Sequence, residues 1–231
     1  MREVVLDTET TGLEPAEGHR IVEIGAVELL NHMPTGRTYH QYINPERPMP
    51  VEAFAIHGLG DDFLRGQPVF KAIARAFIEF IGDSTLVIHN AGFDMKFLNA
   101  ELKTLGHPGL PMTQALDTVA LARKKFPGAS ASLDALCRRF GVNNSGREKH
   151  GALLDSELLA EVYLELVGGR QPDFVLATAA AQTAANQRVL QAGRAKPRPV
   201  PLPSHLTETE EVAHQALVAN MGDAAVWRKR S

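Results

Sequence analysis

The sequence has little cysteine, few bulky aromatic residues and no excess of positive charge. Among its 231 residues are one cysteine, one tryptophan and three tyrosines. A single cysteine excludes an internal disulfide, and Cys137 falls at a helical spacing typical of a small core residue. No apolar run reaches about 18 residues, and the start at Met1, Arg2 and Glu3 lacks the apolar stretch of a secretory signal. We therefore expect a cytoplasmic protein without a membrane span.

The overall charge does not favour a nucleic-acid-binding protein. Lys and Arg number 24 against 27 Asp and Glu, a net charge of -3, whereas such proteins usually carry a basic patch that displaces counterions from phosphates. A site that gathers acidic residues around divalent cations would lower the net charge and still be locally positive when loaded. The charge balance alone therefore excludes neither class.

Short apolar runs near the N-terminus predict a sheet. EVVLDTE (3–9), RIVEIGAVELL (20–30) and TYHQYIN (38–44) are separated by turn residues and predict a meander of three strands. STLVIHN (84–90) is a further run of the buried-strand kind.

Helical periodicity dominates the chain after the meander. In residues 67–82, Val69, Ile73, Phe77 and Ile81 recur at intervals of four and predict an amphipathic helix. Four more segments have helical character, namely residues 92–106, 116–126, 132–141 and 151–169. Strands first, then strand and helix in alternation, predict a mixed α/β domain over residues 1–169.

The composition changes after this domain. Residues 170–204 are rich in Ala and Pro with no apolar period, which predicts a flexible linker. Residues 205–231 regain helical spacing and contain the single tryptophan, Trp227. A segment this short cannot bury a core of its own, so we interpret it as a partner-binding tail. The alternative is a frayed terminus that folds back on the domain.

Two carboxylates stand where the first core strand ends. Asp7 and Glu9 follow Val4, Val5 and Leu6 within VVLDTETTG. Side chains two residues apart on a strand share a face, so their oxygens can converge on one ion. Hard oxygen ligands suit Mg²⁺ or Mn²⁺. The alternative is that both are ordinary turn residues.

A third carboxylate, Asp94, follows the strand of residues 84–90 in HNAGFD. Ends of strands in an open α/β sheet are where ligands bind. The alternatives are that Asp94 caps the next helix and that His89 and Asn90 are ordinary hydrogen-bonding loop residues.

The third motif, HGALLD, contains His150 and Asp155 at the start of the last predicted helix of the domain. A histidine five residues ahead of a first-turn aspartate can stand over the same point, which suits a base beside a metal ligand. The alternative is a surface histidine beside a capping aspartate.

Taken together, DTETTG, HNAGFD and HGALLD resemble the three successive motifs of the DEDDh family of 3′-to-5′ exonucleases, which have an RNase H-like fold. The resemblance implies that Asp7, Glu9, Asp94 and Asp155 hold two divalent ions, Mg²⁺ or Mn²⁺, and that His150 is the general base. It implies in-line attack of water on the terminal phosphodiester of a DNA 3′ end and release of nucleoside 5′-monophosphates.

The segment EAFAIHGLGDDFLRGQPVF (52–70) resembles the corresponding loop of the proofreading subunits of bacterial DNA polymerase III. The likeness implies that His57 lies near the terminal 3′-oxygen and that Ile56 packs on the terminal base; the alternative for Ile56 is plain core packing. The whole implied substrate site comprises Asp7, Glu9, Thr10, Leu13, Ile56, His57, Phe93 and Asp155.

The tail carries a further resemblance to these proofreading subunits. Their C-terminal segment binds the polymerase (alpha) subunit and ends in a Trp-containing stretch similar to VWRKRS (226–231). The resemblance leaves open whether a small theta-like subunit also binds the domain. The linker run QTAANQ (182–187) has the glutamine of a sliding-clamp motif without its bulky apolar residues, so we expect clamp binding to be weak at most.

Overall fold

The computed structural model describes residues 1–147, 149–168 and 207–222 of a chain that divides into two units, Met1–Asp173 and Phe174–Ser231. In the first unit the strands are β1 (Arg2–Thr10), β2 (Ile21–Leu30), β3 (Met33–Tyr42), β4 (Thr85–Ile88) and β5 (Ala115–Asp117). They form one sheet in the order β3-β2-β1-β4-β5. The first three strands pair antiparallel, and β4 pairs in parallel with both β1 and β5. The predicted meander and the predicted buried strand are confirmed.

The helices of the first unit are α1 (Val51–His57), α2 (Asp61–Leu64), α3 (Phe70–Ile81), α4 (Ala91–Thr104), α5 (Thr118–Lys125), α6 (Leu133–Phe140) and α7 (Ala152–Val167). The five helices from α3 to α7 confirm the five helical segments predicted from the apolar periodicity. α1 and α2 were not predicted, because seven and four residues are too few for a helical period to be read. No helix within the described ranges is long and apolar enough to cross a membrane.

Successive residues of β1 pack against opposite layers. Val4 and Leu6 belong to the core that contains α3 and α4, and Val5 belongs to the core that contains α6 and α7. Because side chains alternate along a strand, Asp7 and Glu9 continue the face of Val5. The strand therefore presents its two carboxylates on the α7 side of the sheet.

The first turn of α7 lies directly on β2 at Gly25. A Cβ atom at Gly25 would stand 2.2 Å from backbone atoms of Ala152 and Leu153. Buried Ser156 reinforces the contact, since its Oγ donates to the Gly25 carbonyl at 2.9 Å. Gly25 pairs with Asp7 across the β1–β2 ladder, so this contact brings the start of α7 beside Asp7.

Two further contacts hold the layers in place. Arg20, just before β2, donates Nε and Nη2 to the two carboxylate oxygens of buried Glu101 on α4, at 2.7 and 2.8 Å. At the far end of α7, the Nζ of Lys125 donates to the carbonyls of Glu165 and Leu166 at 3.1 and 2.9 Å. Such cations at helix C-termini satisfy carbonyls that the helix itself leaves unpaired.

In the second unit the described residues form one helix, α8 (Glu208–Met221). It begins with a capping box, in which Thr207 Oγ1 accepts from the Glu210 N–H and the Glu210 carboxylate accepts from the Thr207 N–H. Val212, Leu217 and Met221 are exposed. The helical prediction holds here, whereas the predicted linker and Trp227 lie outside the described residues.

Replacing Gly25 with Ala is expected to destabilise the first unit by about 1–3 kcal/mol, because the new Cβ forces α7 away from β2. Urea unfolding followed by circular dichroism measures the effect. Gly92→Ala is the control, since Gly92 lies in helix α4 with no atom in the way and Ala favours helices. A Gly25→Ala variant as stable as the parent would contradict the close-approach interpretation.

Candidate active site

The two carboxylates of β1 are separated by a threonine that points to the opposite face. Glu9 is buried and Asp7 is partly exposed. Thr8 Oγ1 donates to Oδ1 of Asp94 at 2.7 Å, which fastens β1 to α4. The end of β1 thus has carboxylates on both sides, with Asp94 approaching from the α4 layer.

Asp94 lies inside the first turn of α4 and is buried. The N-cap position belongs to Asn90, which has a left-handed backbone with φ 69°, so the alternative in which Asp94 caps the helix is wrong. His89 and Asn90 do make ordinary loop bonds. His89 Nδ1 is 2.9 Å from Thr118 Oγ1, and the Asn90 N–H donates to Asp117 at 3.2 Å.

Asp155 and His150 meet at the start of α7, as their spacing predicted. Asp155 is buried in the first turn, and its Oδ2 lies 3.6 Å from Nδ1 of His150. About half of the His150 side chain is exposed. Its backbone N–H donates to the Ile56 carbonyl at 3.3 Å. The histidine therefore lies between α1 and α7, with its ring reaching solvent.

One ligand atom each from Glu9, His150 and Asp155 lies within 4.8 Å of the others. Asp7 and Asp94 border this group, since Asp7 precedes Glu9 by two residues on the same face of β1 and Asp94 accepts the hydrogen bond from Thr8 between them. The structure thus gathers the four predicted carboxylates and the predicted histidine at one end of β1, although the sequence separates them by as many as 148 positions, from Asp7 to Asp155.

Three of these carboxyl groups have raised pKa values, because they are close together and removed from water. Although Asp7 is partly exposed, the surrounding protein removes its carboxyl group from water and raises its pKa well above the usual range, and the charges of Asp94, Glu9 and Asp155 raise it further. Burial, followed by the charge of Asp155, raises the pKa of Glu9 to about 8. Burial also raises the pKa of Asp94, against the hydrogen bond from Thr8. A cation that joins such carboxylates favours their ionised form and lowers these pKa values again.

Sequence reasoning missed a cation in this group, Arg147. Its Nε and Nη2 donate to the two oxygens of Asp155, and its Nη2 also contacts His150. The hydrogen bonds to Asp155 raise the pKa of the Arg147 guanidinium above its usual value. No motif or period marks this residue, because it lies in a segment without helix or strand.

A cleft of about 430 Å³ opens beside the carboxylates, a size within the range of ligand sites. It is lined by Thr8, Glu9, Thr10, Thr11, Gly12, Leu13, Glu17, His19, Pro50, Glu52, Ala53, Ile56, His57 and Phe93. Six of the eight residues of the predicted substrate site are in this lining. The other two are outside the lining: Asp155 lies with Glu9 in the group above, and Asp7 precedes Glu9 by two residues on β1.

Apolar side chains form the mouth of the cleft. Leu13 is 77% exposed and Ile56 51% exposed, so the plain core-packing alternative for Ile56 is wrong. Deeper in the cleft, His57 is buried, and its Nδ1 accepts the Leu59 N–H at 3.0 Å. Burial lowers the pKa of His57. A cleft with an apolar mouth and a polar, acidic end fits a ligand that has a base-like ring and a charged group.

The donor set fits hard divalent cations. It consists of four carboxylates on rigid elements, β1, α4 and α7, and buried charges of one sign require a counter-charge. Carboxylate oxygens are the ligands that Mg²⁺ and Mn²⁺ prefer.

Comparisons with known proteins agree with this arrangement. The exonuclease family model matches residues 4–163. The DNA polymerase III subunit epsilon of Rickettsia prowazekii is 59% identical over 177 residues, which cover 75% of this chain and 77% of that one. The epsilon subunit of Escherichia coli K12 is 42% identical over an alignment of 243 residues, which covers 98% of this chain and 97% of that one.

Solved structures share the fold. Exonuclease X, in complex with 5′ overhanging duplex DNA, is 27% identical with a TM-score of 0.57 and covers 71% of this chain and 90% of its own. The nuclease domain of 3′hExo, a DEDDh family member bound to rAMP, has a TM-score of 0.63 over 72% of this chain and 91% of its own. At 20% identity this second likeness concerns the fold alone.

The chain belongs to the exonuclease family, whose members use divalent metal ions, and its sheet and flanking helices form the RNase H-like fold shared by the solved exonucleases. Within that class the chain belongs to the epsilon-subunit family of bacterial DNA polymerase III. It is a 3′-to-5′ exonuclease with a proofreading role.

The unbalanced carboxylates predict that divalent ions stabilise the fold. Mn²⁺ at about 100 times its dissociation constant should add about 2.7 kcal/mol and raise Tm by about 5–10 °C. Asp94→Asn should lose most of this increment. Glu79→Gln, which removes an exposed carboxylate on α3, should keep it. Scanning calorimetry with EDTA or MnCl₂ measures both, and equal increments in all three proteins would rule out the cluster as the ion site.

Proposed function

We propose that the carboxylate cluster and the adjoining cleft are the active site at which the mispaired 3′-terminal nucleotide of a DNA strand is removed. The observation that carries this proposal is the position of Glu9. It lines the cleft and also lies with His150 and Asp155. A strand end bound in the cleft would therefore have its terminal phosphodiester beside the cluster.

In this proposal Asp7, Glu9, Asp94 and Asp155 hold two divalent ions, Mg²⁺ or Mn²⁺. When bound, such a pair supplies Lewis acidity to the phosphodiester, lowers the pKa of water from 15.7 toward about 7, and neutralises the departing oxygen. The chain contributes the fixed oxygens. Three of the four carboxylates are buried, so the surrounding atoms restrict the motion of their side chains.

His150 acts as the general base. Its ring is half exposed and its Nδ1 lies 3.6 Å from Asp155, so it can reach a water at the edge of the cluster and accept its proton. The hydroxide attacks the terminal phosphodiester in line with the leaving 3′-oxygen. The bond from phosphorus to that 3′-oxygen breaks, the oxygen takes up a proton from solvent to become the 3′-hydroxyl of the shortened strand, and a nucleoside 5′-monophosphate is released.

The cleft residues hold the terminal nucleotide. Leu13, Ile56 and Phe93 offer apolar contact to its base, Thr10 lies beside Glu9 on the same strand, and His57 lies near its 3′-oxygen. A strand must leave its duplex to enter a cleft of this kind, and unpairing costs least at a mismatch. This difference favours the removal of mispaired ends.

The relatives are named as subunits of DNA polymerase III, and we extend that assembly to this chain. Residues 1–169 form the exonuclease domain, residues 170–204 the linker, and residues 205–231 the tail that binds the polymerase (alpha) subunit in the cytoplasm. The exposed apolar residues of α8 support a docking role for the tail. A theta-like subunit is compatible with this layout, and clamp binding through residues 182–187 is weak at most.

Asp7→Asn is expected to reduce Mg²⁺-dependent release of deoxynucleoside monophosphates by at least about 10³-fold, because a fixed metal ligand is lost. The assay is degradation of a labelled primer with paired or mispaired ends, with and without Mg²⁺. Asp83→Asn is the control, since exposed Asp83 lies beside Met1 and Arg2, away from the cluster.

The same assay with short RNA distinguishes proofreading from RNA trimming. A faster rate on mispaired DNA than on RNA supports the proposal. Retained activity in Asp7→Asn would eliminate the site assignment, and a clear preference for RNA would eliminate the proposed substrate.

Trp227→Ala tests the tail. If Trp227 anchors the tail in the polymerase subunit, truncation should weaken binding by about 30-fold or more, as at interface hot spots, and leave the exonuclease rate unchanged. Surface plasmon resonance with the immobilised polymerase subunit measures the affinity. Unchanged affinity would show that another part of the chain makes the contact.

A further inference from the structure

Arg147 holds a central position among the groups of the active site. Its side chain is only 9% exposed. Nε and Nη2 donate to the two oxygens of Asp155 at 2.5 and 2.7 Å, and Nη1 donates to Oδ1 of Asp134 at 3.0 Å. Nη2 also lies 3.1 Å from Nδ1 of His150. One guanidinium thus contacts helix α6, helix α7 and the histidine.

The surrounding contacts close a small network. Asp134 on α6 also accepts a hydrogen bond from Nδ2 of Asn144 at 2.9 Å. Asn144 and Arg147 therefore both attach the segment before His150 to the same carboxylate. This segment has neither helix nor strand among its described residues, so these side chains and the His150–Ile56 backbone bond help to fix its path, together with the bond from the Arg147 N–H to the Asn144 carbonyl at 3.0 Å.

We propose that Arg147 is a positioning residue for the reaction described above. Its planar fork orients Asp155 and His150 with respect to each other, and Asp134 anchors that fork to α6. This inference rests on the proposed function of His150 and Asp155. Arginine suits the task because its donors have a fixed geometry that matches both oxygens of a carboxylate, whereas lysine is a flexible point charge.

A direct role in binding the DNA phosphate is less compatible with the contacts. Of the five N–H donors of a guanidinium, the contacts to Asp155, Asp134 and His150 occupy most. Arg147 is also absent from the lining of the cleft.

Arg147→Lys is the informative variant, since it keeps the positive charge beside the carboxylates and removes only the fork. Loss of a positioning contact to a metal ligand typically costs 10–100-fold. We expect kcat on a mispaired primer to fall by about 10–100-fold, with KM for the primer within about threefold of the parent value. Arg138→Lys is the matched control, because Arg138 is an exposed arginine on α6.

Mn²⁺ binding without DNA provides a readout that does not depend on catalysis. By isothermal titration calorimetry, Arg147→Lys should weaken Mn²⁺ affinity by about tenfold. Asp134→Asn should weaken it in the same direction, although Asp134 is half exposed and belongs to another helix. The double variant should match Arg147→Lys alone, because residues that act as a unit are not additive.

The inference is overturned if Arg147→Lys keeps the parental kcat and Mn²⁺ affinity. It is also overturned if the variant changes only KM for the primer, which indicates phosphate binding. A loss of activity that follows the unfolded fraction at the assay temperature would overturn it too, because it indicates an effect on stability alone. Failure of the parent protein to release nucleotides would instead refute the proposed function. The calorimetric comparison would still decide whether Arg147 positions Asp155.

Discussion

The close approach of α7 to β2 at Gly25 is the constraint on which the active site depends. With a side chain at Gly25, the backbone of Ala152 and Leu153 could not occupy its place. Asp155 would then move away from Asp7, the β1 residue that pairs with Gly25. A glycine in a strand interior costs about 0.5–1 kcal/mol of conformational entropy. In this protein the glycine, despite that cost, allows the helix carboxylate of Asp155 to lie close to the strand carboxylate of Asp7.

Apolar packing along β1 offsets the energetic cost of burying the carboxylates at its end. Val4, Val5 and Leu6 are fully buried on the strand that ends in Asp7 and Glu9, so the apolar part of β1 fixes its acidic part. Burial and mutual repulsion raise the pKa values of these carboxyl groups. The site therefore stores an electrostatic cost in the folded protein, and cations that join it relieve that cost. Structural stability and metal binding are linked by this one cluster.

Much of the fold could be predicted from the sequence because it has strong local signals, whereas the candidate site was indicated only by the three carboxylate motifs taken together. Alternating or continuous apolar runs mark the long strands, and the carboxylates stand out where such runs end. Strand β5 could not be predicted, since its three residues adjoin a helical segment and gain their structure from pairing with β4. Gly25 and Arg147 could not be assigned a role either, because their partners in α7 and α6 come together only in the folded chain.

Helix α7 has a different task at each end. Its N-terminal turn carries Asp155, and about 16 Å away its last carbonyls are held by Lys125 of α5. The chain continues beyond Gly168 from that second end. The Lys125 attachment therefore lies at the end of the helix from which the chain continues, and Asp155 lies at the other end. One helix thus separates the point where the chain leaves the domain from the carboxylate of the candidate site, so a change at its C-terminal end would reach Asp155 only through the packed length of α7.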